Sequence, residues 1–342
     1  MTPSEIIACL GEMIQQTSGV SDVHIHGGSA VYLRADGQIR PAELTVTDKD
    51  IIELITQYAG GDCAERLQAT GDADFALSAG GARFRANGFM RQGGVCLILR
   101  VIAEDIPDSD RLGLPEIARQ MMHSPDGLVL VTGATGSGKS TSLAAMIDYV
   151  NTRLAKIIYT IEDPIEFLHH NKSSVISQRE VGIHTSSFAV GLKAVLRQDP
   201  DIILLGELRD FETISLALTA AETGHLVLAT LHTRTASDAV SRIIDVYPER
   251  QQAQAREQLA SSLQMVMTQQ LVPAISGGRV ASFEVLVNTP AVAHHIREAK
   301  TAQLISVMQT SADAGMITMQ ASLSQLEDAG LIKGPLCTPP QC

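Results

Sequence analysis

Hydrophobic and polar residues are arranged differently in the first hundred residues and in the rest of the chain. An opening segment has its apolar positions on one helical face, at Ile6, Leu10, Met13 and Ile14. Short alternating stretches follow, with turns predicted at Asp36-Gly37, Gly80-Gly81 and Gly93-Gly94. A second helix is predicted over IIELITQYA. This pattern predicts a small α+β domain built on an antiparallel sheet.

The rest of the chain alternates wholly apolar strands with helices. Strands are predicted at LVLVT, KIIYTIE, DIILLGE, HLVLATLHT and RVASFEVLV. Such strands are typical of a mostly parallel sheet that is covered on both faces. The polar, proline-containing segment AEDIPDSDRLGLP breaks both patterns, so the linker is placed within it, over 103–112. The predicted fold class is α/β, with a smaller α+β domain ahead of a parallel-sheet domain.

Composition and charge weigh against several classes of protein. The 342 residues are long for one core and predict at least two domains. The formal charge of −12 argues against extended contact with nucleic acid, which needs a surplus of lysine and arginine on some face. No apolar run approaches the roughly 18 to 20 residues that span a bilayer, and no basic-then-apolar leader opens the chain, so a cytoplasmic protein is expected. The five cysteines form no CxxC pair and indicate neither a disulfide framework nor a zinc site.

The stretch GATGSGKST lies between the strand GLVLV and the apolar helix SLAAMIDYV and is a complete phosphate-binding loop. Its glycines let the backbone turn tightly and point N–H groups at a β-phosphate, and the following helix adds its positive amino end. Lys139 is expected to reach the β- and γ-phosphates, and Ser140 to offer a hydroxyl to Mg²⁺. The predicted nucleotide-binding residues are Gly133, Ala134, Thr135, Gly136, Ser137, Gly138, Lys139, Ser140 and Thr141. A glycine-rich turn that binds nothing is the alternative, but the motif is complete in the context that its chemistry requires.

Two carboxylates end predicted strands. The strand KIIYTIE ends in Glu162 and the strand DIILLGE ends in Glu207. Ligands of parallel sheets lie at the carboxyl ends of the strands, where one acid can hold Mg²⁺ or its water and a second can polarise the attacking water. Asp163 and Asp210, which come just after these strands, are equally well explained as helix caps.

Two histidines, His225 and His232, bracket the strand HLVLATLHT. A histidine at a carboxyl strand end, near the expected γ-phosphate, can sense the nucleotide or donate a hydrogen bond to it. A structural hydrogen-bonding role is the alternative for either one. No acid or cysteine at metal-ligand spacing accompanies them, so a metal site made by these histidines is rejected.

Four motifs in this order resemble the boxes of the type II/IV secretion ATPase superfamily. They are GATGSGKSTSLAAMIDYVN as Walker A, TIEDPIEF as the Asp box, DPDIILLGELRD as Walker B, and LALTAAETGHLVLATLHTRTA as the His box. Within the superfamily the chain is most similar to the PilT-type retraction ATPases of type IV pili. SDVHIH, GARFRANGF, AVAHHIREAK and GMITMQASL also match, so the resemblance covers almost the whole length.

The resemblance implies hexameric rings of subunits with a PAS-like domain, here 1–102, and a RecA-like ATPase domain, here 113–290, followed by C-terminal helices and a tail over 291–342. It implies ATP and Mg²⁺ as cofactors, with Glu207 as the Walker B acid that holds the metal, directly or through water, together with Ser140. Glu162 would activate water, although the sequence leaves the division of roles between the two glutamates open. His225 and His232 form the His box. The expected place is the cytoplasmic face of the inner membrane, reached through a pilus platform protein.

Arg83 and Arg85 match family arginines that reach the nucleotide from the N-terminal domain, across the subunit boundary. On sequence alone they are two exposed charges on one strand face, because positions two apart point the same way. Arg197, Arg209 and Arg279 are weaker phosphate or interface candidates.

The assignment to the retraction branch depends on the absence of a tetracysteine insertion and on the helix AVAHHIRE, which resembles the retraction motif AIRNLIRE. His294 and His295 depart from that motif, and His295 takes an apolar position, which puts the packing or partner surface of this helix in doubt. A secretion, conjugation or pilus-assembly ATPase is the alternative within the superfamily. A RecA-like DNA translocase and a non-hydrolysing scaffold are alternatives of other classes; acidity weighs against the first, and the intact site residues weigh against the second.

Overall fold

The computed structural model describes residues 1–17, 19–35, 38–79, 82–102 and 106–333, and the chain divides into two compact units. The first unit comprises Met1–Asp105 together with Pro164–Leu168, and the second comprises Ile106–Asp163 with His169–Cys342. Five residues from the middle of the chain, Pro164–Leu168, therefore belong to the first unit, although they follow a strand of the second.

The first unit is a six-stranded antiparallel sheet with three helices. Its elements are α1 (Pro3–Gln16), β1 (Val20–His26), β2 (Ser29–Ala35), β3 (Gln38–Val46), α2 (Asp48–Ala59), α3 (Gly61–Thr70), β4 (Asp72–Ala79), β5 (Ala82–Arg91) and β6 (Gly94–Ile102). The strand order is β3-β2-β1-β6-β5-β4. This unit has the antiparallel α+β character that the alternating pattern predicted.

The turns predicted in this unit can be compared only in part with the structure. Arg91 pairs with Gly94, so the two residues of the β5–β6 turn are Gln92 and Gly93, one position earlier than predicted, and Gly94 opens β6; Gly93 and Gly94 both have positive φ. The strands on either side of Asp36-Gly37 and of Gly80-Gly81 pair antiparallel, but these two dipeptides lie outside the described residues. Two helices begin with a capping box, in which a threonine and an acid three residues later bond reciprocally: Thr2 with Glu5 in α1, and Thr47 with Asp50 in α2.

The second unit contains a seven-stranded sheet in the order β13-β12-β7-β11-β10-β8-β9. All neighbouring strands are parallel except β12 and β13. The strands are β7 (Gly127–Thr132), β8 (Ile157–Glu162), β9 (Val175–Glu180), β10 (Ile202–Leu205), β11 (Leu226–Leu231), β12 (Leu263–Pro273) and β13 (Arg279–Val287). The helices are α4 (Glu116–Met121), α5 (Lys139–Arg153), α6 (Phe188–Val195), α7 (Phe211–Glu222), α8 (Ala236–Asp245), α9 (Glu249–Ser262), α10 (Pro290–Arg297), α11 (Leu304–Thr310) and α12 (Met319–Asp328). The predicted mixed α/β fold is confirmed.

Side chains from both faces of this sheet enter separate apolar clusters. Along β7, Leu128 and Leu130 belong to one cluster and Val129 and Val131 to the other. Every residue of β7, β10 and β11 is buried, as expected for central strands covered on both sides. This burial explains why the sequence of these strands is continuously apolar.

Two strands of this sheet were missed by the sequence interpretation. The edge strand β9 reads VISQRE, which has too few apolar residues to be recognised as a wholly apolar strand. The strand β12 reads LQMVMTQQLVP and follows directly on α9, which ends at Ser262, with no glycine or proline between them. A run rich in glutamine, methionine and leucine therefore looks like a continued helix, and only the sheet neighbours of β12 make it a strand.

Within the second unit, the C-terminal helix α12 packs against β13. Ser322 of α12 accepts a hydrogen bond from the Phe283 N–H of β13 (3.0 Å), and the buried carboxylate of Glu284 accepts from the Ala236 N–H at the start of α8 (2.7 Å). Burial raises the pKa of Glu284. The ending predicted as a frayed tail lies outside the described residues beyond Lys333. Among the helices that the structure describes, none combines the length and apolar character required to cross a bilayer.

Candidate functional site

The loop between β7 and α5 can be built only with glycine at three positions. Gly133, Gly136 and Gly138 have φ values of 142°, 77° and 88°, which L side chains rarely adopt. A Cβ on Gly133 would lie 2.3 Å from the Gln269 carbonyl oxygen and 2.6 Å from the Ser137 hydroxyl. The loop therefore passes directly over β12, and its backbone N–H groups are brought to the amino end of α5.

The Lys139 side chain folds back over this loop. Its Nζ donates to the carbonyl oxygens of Gly133 (2.8 Å) and Ala134 (3.0 Å) and lies 3.4 Å from Nδ1 of His232. Lys139 is the first residue of α5 and is almost fully buried. The ammonium group is thus held at the mouth of the phosphate-binding loop, within reach of a second motif.

Gln269 on β12 contacts the loop and the start of α5. The sequence analysis did not identify this residue. Its Oε1 accepts from the Ser142 hydroxyl (2.7 Å) in the first turn of α5, and both side chains are buried. A Cβ on Gly138 would lie 2.9 Å from the Gln269 Nε2. The start of α5 is therefore fixed to β12 by a side chain whose strand had not been identified.

Glu207 lies just beyond the carboxyl end of β10 and contacts two cationic or potentially cationic side chains. Its Oε2 accepts from Arg209 Nε (2.8 Å), and its Oε1 lies 3.3 Å from His232 Nε2. Arg209, a weak candidate on sequence, is thus a direct partner of the strand-ending acid. The arrangement puts residues of the Walker A, Walker B and His boxes in one continuous chain of polar contacts from Lys139 through His232 to Glu207.

Glu162 ends β8, and donors on two strands reach its carboxylate. Its Oε1 accepts from the Thr160 hydroxyl (2.6 Å) and from Gln178 Nε2 (3.2 Å). A Cβ on Gly206 would lie 3.3 Å from the Glu162 Cα, so the residue before Glu207 allows the ends of β8 and β10 to approach closely. Both strand-ending glutamates therefore lie at the same edge of the sheet.

The neighbouring acids have different surroundings. Asp210 is the N-cap of α7 and accepts from the N–H (2.8 Å) and hydroxyl (3.0 Å) of Thr213. The helix-cap alternative is therefore correct for Asp210. Asp163 is exposed, and no helix begins in the described segment directly after it, so a cap role does not apply there.

The structure separates the two histidines of the predicted His box. His232 follows the carboxyl end of β11, whereas His225 precedes the amino end of the same strand, where its Nδ1 lies 3.1 Å from the Ala220 carbonyl oxygen. His232 joins Lys139 and Glu207, and His225 does not. A strand of six residues spans roughly 20 Å, so the position of His225 within its own chain fits a structural role.

Arg83 and Arg85 lie in the first unit on one face of β5, opposite buried Phe84. Arg83 Nε donates to the Ile165 carbonyl oxygen (3.1 Å) of the segment that belongs to this unit. Arg85 is exposed and is the register partner of Arg100 on β6. Two like charges directly opposite each other weaken a sheet pair, but Arg100 is ion-paired with Asp22 of β1 (2.8 Å), which offsets its charge within the sheet.

Of the remaining arginine candidates, Arg197 follows α6 and Arg279 opens β13. Among the described residues, neither side chain forms a hydrogen bond or ion pair with Lys139, His232 or Glu207. Within the described residues, no group of three or more His, Cys, Asp or Glu side chains could hold a metal ion by itself. A hydroxyl and one acid, Ser140 and Glu207, suit an ion such as Mg²⁺, which keeps several waters and takes further ligands from phosphates.

The parallel sheet, the glycine loop leading into α5 and the polar cluster at the strand ends define a phosphate-loop nucleotide-binding protein. The family model for type II/IV secretion system proteins matches residues 4–328. The chain belongs to this family.

Individual relatives make the likeness more specific. The type IV pilus retraction ATPase PilT of Pseudomonas aeruginosa is 44% identical over 316 residues, covering 92% of each protein. A twitching motility protein of Neisseria gonorrhoeae is 46% identical over 303 residues, covering 88% of this chain and 81% of that protein. The solved structure of the pilus retraction motor PilT with bound ADP has a TM-score of 0.87 and 42% identity, covering 96% of this chain and 94% of that one. The predicted resemblance to retraction ATPases, and with it the prediction of an ATPase, is confirmed.

Proposed function

We propose that this chain is the subunit of a hexameric, ATP-hydrolysing motor that powers retraction of type IV pili. The first unit is the PAS-like domain and the second is the RecA-like ATPase domain. The observation that carries the proposal is the contact chain from Lys139 through His232 to Glu207. It joins three motifs in a protein that resembles retraction ATPases over almost its full length.

The site residues divide the chemistry of phosphoryl transfer. The N–H groups of the glycine loop cradle the phosphates of ATP, and these phosphates compete with the Gly133 and Ala134 carbonyls for Lys139 Nζ. Ser140 and Glu207, the latter directly or through water, would hold Mg²⁺, which would supply charge neutralisation at the phosphates. Glu162 accepts a proton from the attacking water, and its position is fixed by Thr160.

His232 couples the acid of Walker B to the lysine of Walker A. The lysine ammonium is a donor only, so the His232 Nδ1 facing it must accept, and the Nε2 facing Glu207 must carry the proton. With this tautomer the ring accepts from Lys139 and places its N–H group 3.3 Å from the Glu207 carboxylate. A change in the position of Lys139 on phosphate binding is therefore transmitted to Glu207 through a single ring.

Arg83 and Arg85 complete the nucleotide site of a neighbouring subunit. Their support is the family resemblance, since within the first unit the register partner of Arg85, Arg100, is ion-paired with Asp22 (2.8 Å). An arginine supplied in trans stabilises charge in the transition state and links hydrolysis to movement of domains. The motor is placed at the cytoplasmic side of the inner membrane through a pilus platform protein, without nucleic acid.

Deletion of the gene followed by counting of surface pili tests the direction of work. Retraction predicts hyperpiliated cells that do not twitch, and complementation with the Lys139→Ala variant should leave them so. Bald cells would instead assign the chain to pilus assembly. Unchanged pili and motility would contradict a role in type IV pili altogether.

A further inference from the structure

Gln178 lies on the edge strand β9, beside the strand that ends in Glu162. It is the register partner of Thr160, and its side chain reaches the same carboxylate as the Thr160 hydroxyl. The Gln178 Nε2 lies 3.2 Å from Glu162 Oε1, and the Thr160 Oγ1 lies 2.6 Å from it. Two donors from adjacent strands therefore converge on one oxygen of the strand-ending acid.

The orientation of the Gln178 amide is determined by a second contact. Its Oε1 accepts from the backbone N–H of His169 (2.8 Å). If the amide were turned over, its NH₂ group would face an N–H donor and its oxygen would face a carboxylate, so both contacts would be lost. Only one orientation satisfies both neighbours, and in that orientation Gln178 must donate to Glu162.

Gln178 also joins two positions that are separated along the chain. Glu162 comes before the segment Pro164–Leu168, and His169 comes directly after it. One side chain therefore bonds to the residues on both sides of this segment. The Gln178 amide therefore bonds both to Glu162 and to His169, the residue at which the second unit resumes.

We propose that Gln178 is a positioning residue for hydrolysis, which holds the Glu162 carboxylate in the orientation that activates water. This inference rests on the proposed role of Glu162. Gln178 does not touch nucleotide in this proposal, so its loss should lower the rate of the chemical step without changing nucleotide affinity. A displacement of a reacting group by about 1 Å can lower the rate about 100-fold, so the loss of an orienting contact should fall within this range.

Gln178→Glu tests the proposal, because a carboxylate still accepts from the His169 N–H but cannot donate to Glu162 and repels it. Gln178→Met, of similar shape and without charge, is the second variant in case the first does not assemble. The matched control is Gln258→Glu, since Gln258 Nε2 donates to Glu222 Oε2 (2.9 Å) on the surface formed by α7 and α9. This control makes the same glutamine-to-glutamate change beside a glutamate, but away from the nucleotide site.

We expect both Gln178 variants to lower kcat for ATP about 10-fold or more, with KM and the Kd for ADP within about twofold of wild type, and Gln258→Glu to behave as wild type. Unchanged kcat in both Gln178 variants would overturn the proposal. A parallel loss of kcat, ADP affinity and thermal stability would also overturn it, since that pattern indicates general structural damage.

Combination with Glu162→Gln separates this inference from the function on which it rests. If Glu162→Gln alone hydrolyses ATP at the wild-type rate, the role of Glu162 is wrong. If Glu162→Gln is inactive while Gln178→Glu is fully active, only the role of Gln178 is wrong. If Gln178 acts through Glu162, the double variant in single-turnover assays should be no slower than Glu162→Gln, because effects of residues that act together do not add.

Discussion

His232 Nε2 lies 3.3 Å from Glu207 Oε1, at the point where β10 and β11 end side by side. The other ring nitrogen lies 3.4 Å from Lys139 Nζ. Nδ1 accepts from the lysine ammonium, so in this tautomer the hydrogen on Nε2 faces Glu207. This single imidazole therefore connects the phosphate-binding loop to the acid that is proposed to hold the metal.

Replacing His232 should interrupt this connection. His232→Ala removes one acceptor of Lys139 and the ring that contacts Glu207, and we expect the ATP turnover number to fall about 10-fold to 100-fold. His225→Ala, at the opposite end of β11, should have a smaller effect. Steady-state hydrolysis by purified rings of the two variants provides the comparison. An equal loss of ATP turnover in both variants would contradict this account, because only His232 contacts Lys139 and Glu207.

Replacing Gln269 should weaken nucleotide binding through the loop. Gln269→Leu leaves the buried Ser142 hydroxyl without its acceptor, which typically costs about 1–3 kcal/mol. The amino end of α5 then loses its link to β12, so ADP affinity should fall. Gln270→Leu changes the next residue of the same strand, which is half-buried and faces the other way, and serves as the control. Equal ADP affinity in wild type and Gln269→Leu would contradict the supporting role of Gln269.

Mixed rings should reveal whether Arg83 acts in trans. Lys139→Ala subunits and Arg83→Ala subunits should each be inactive alone. Co-assembled rings should regain part of the ATPase activity, because some boundaries then combine an intact Lys139 from one chain with an intact Arg83 from its neighbour. Arg85→Ala should behave as Arg83→Ala does. If verified mixed rings remain as inactive as either parent, the arginines do not complete the site across a boundary.

The partly buried ring of His169 should make stability depend on pH. Burial lowers the pKa of His169 to about 4, whereas an unfolded histidine titrates near about 6.5. Between these values the unfolded chain binds more protons than the folded one, so the free energy of unfolding should decrease as the pH falls from about 6.5 to 4, by about 1–3 kcal/mol from this residue.

Urea unfolding at a series of pH values measures this effect. His169→Phe should flatten the dependence relative to wild type, and His170→Gln, a change at the exposed neighbouring residue, should not. A slope that is unchanged in His169→Phe would show that the His169 ring contributes no linkage.

The parts of the structure that the sequence predicts are those encoded by neighbouring residues. The loop before Lys139 is a contiguous motif, and the apolar strands that end in Glu162 and Glu207 are recognised because burial on both faces leaves them continuously hydrophobic. The convergence of these acids follows from parallel strands. Such features need no knowledge of which strands are neighbours.

The contacts that the sequence did not predict depend on strand order and register. Gln269 reaches Ser142 only because β12 lies next to β7, and Gln178 reaches Glu162 only because β9 pairs with β8. Both glutamines lie in strands without a clear apolar pattern. His225 was grouped with His232 because the family motif contains both, although the strand that they bracket carries its two ends to opposite edges of the sheet.

The central claim is that this chain hydrolyses ATP at the loop that ends in Lys139. The most direct test is the rate of phosphate release from ATP by purified wild-type protein and by Lys139→Ala, with folding of both checked by circular dichroism. We predict turnover by the wild type and a loss on the order of 10²-fold or more in the variant, because the cation that neutralises the transferring phosphoryl group is gone. Equal rates in two folded proteins would contradict the account.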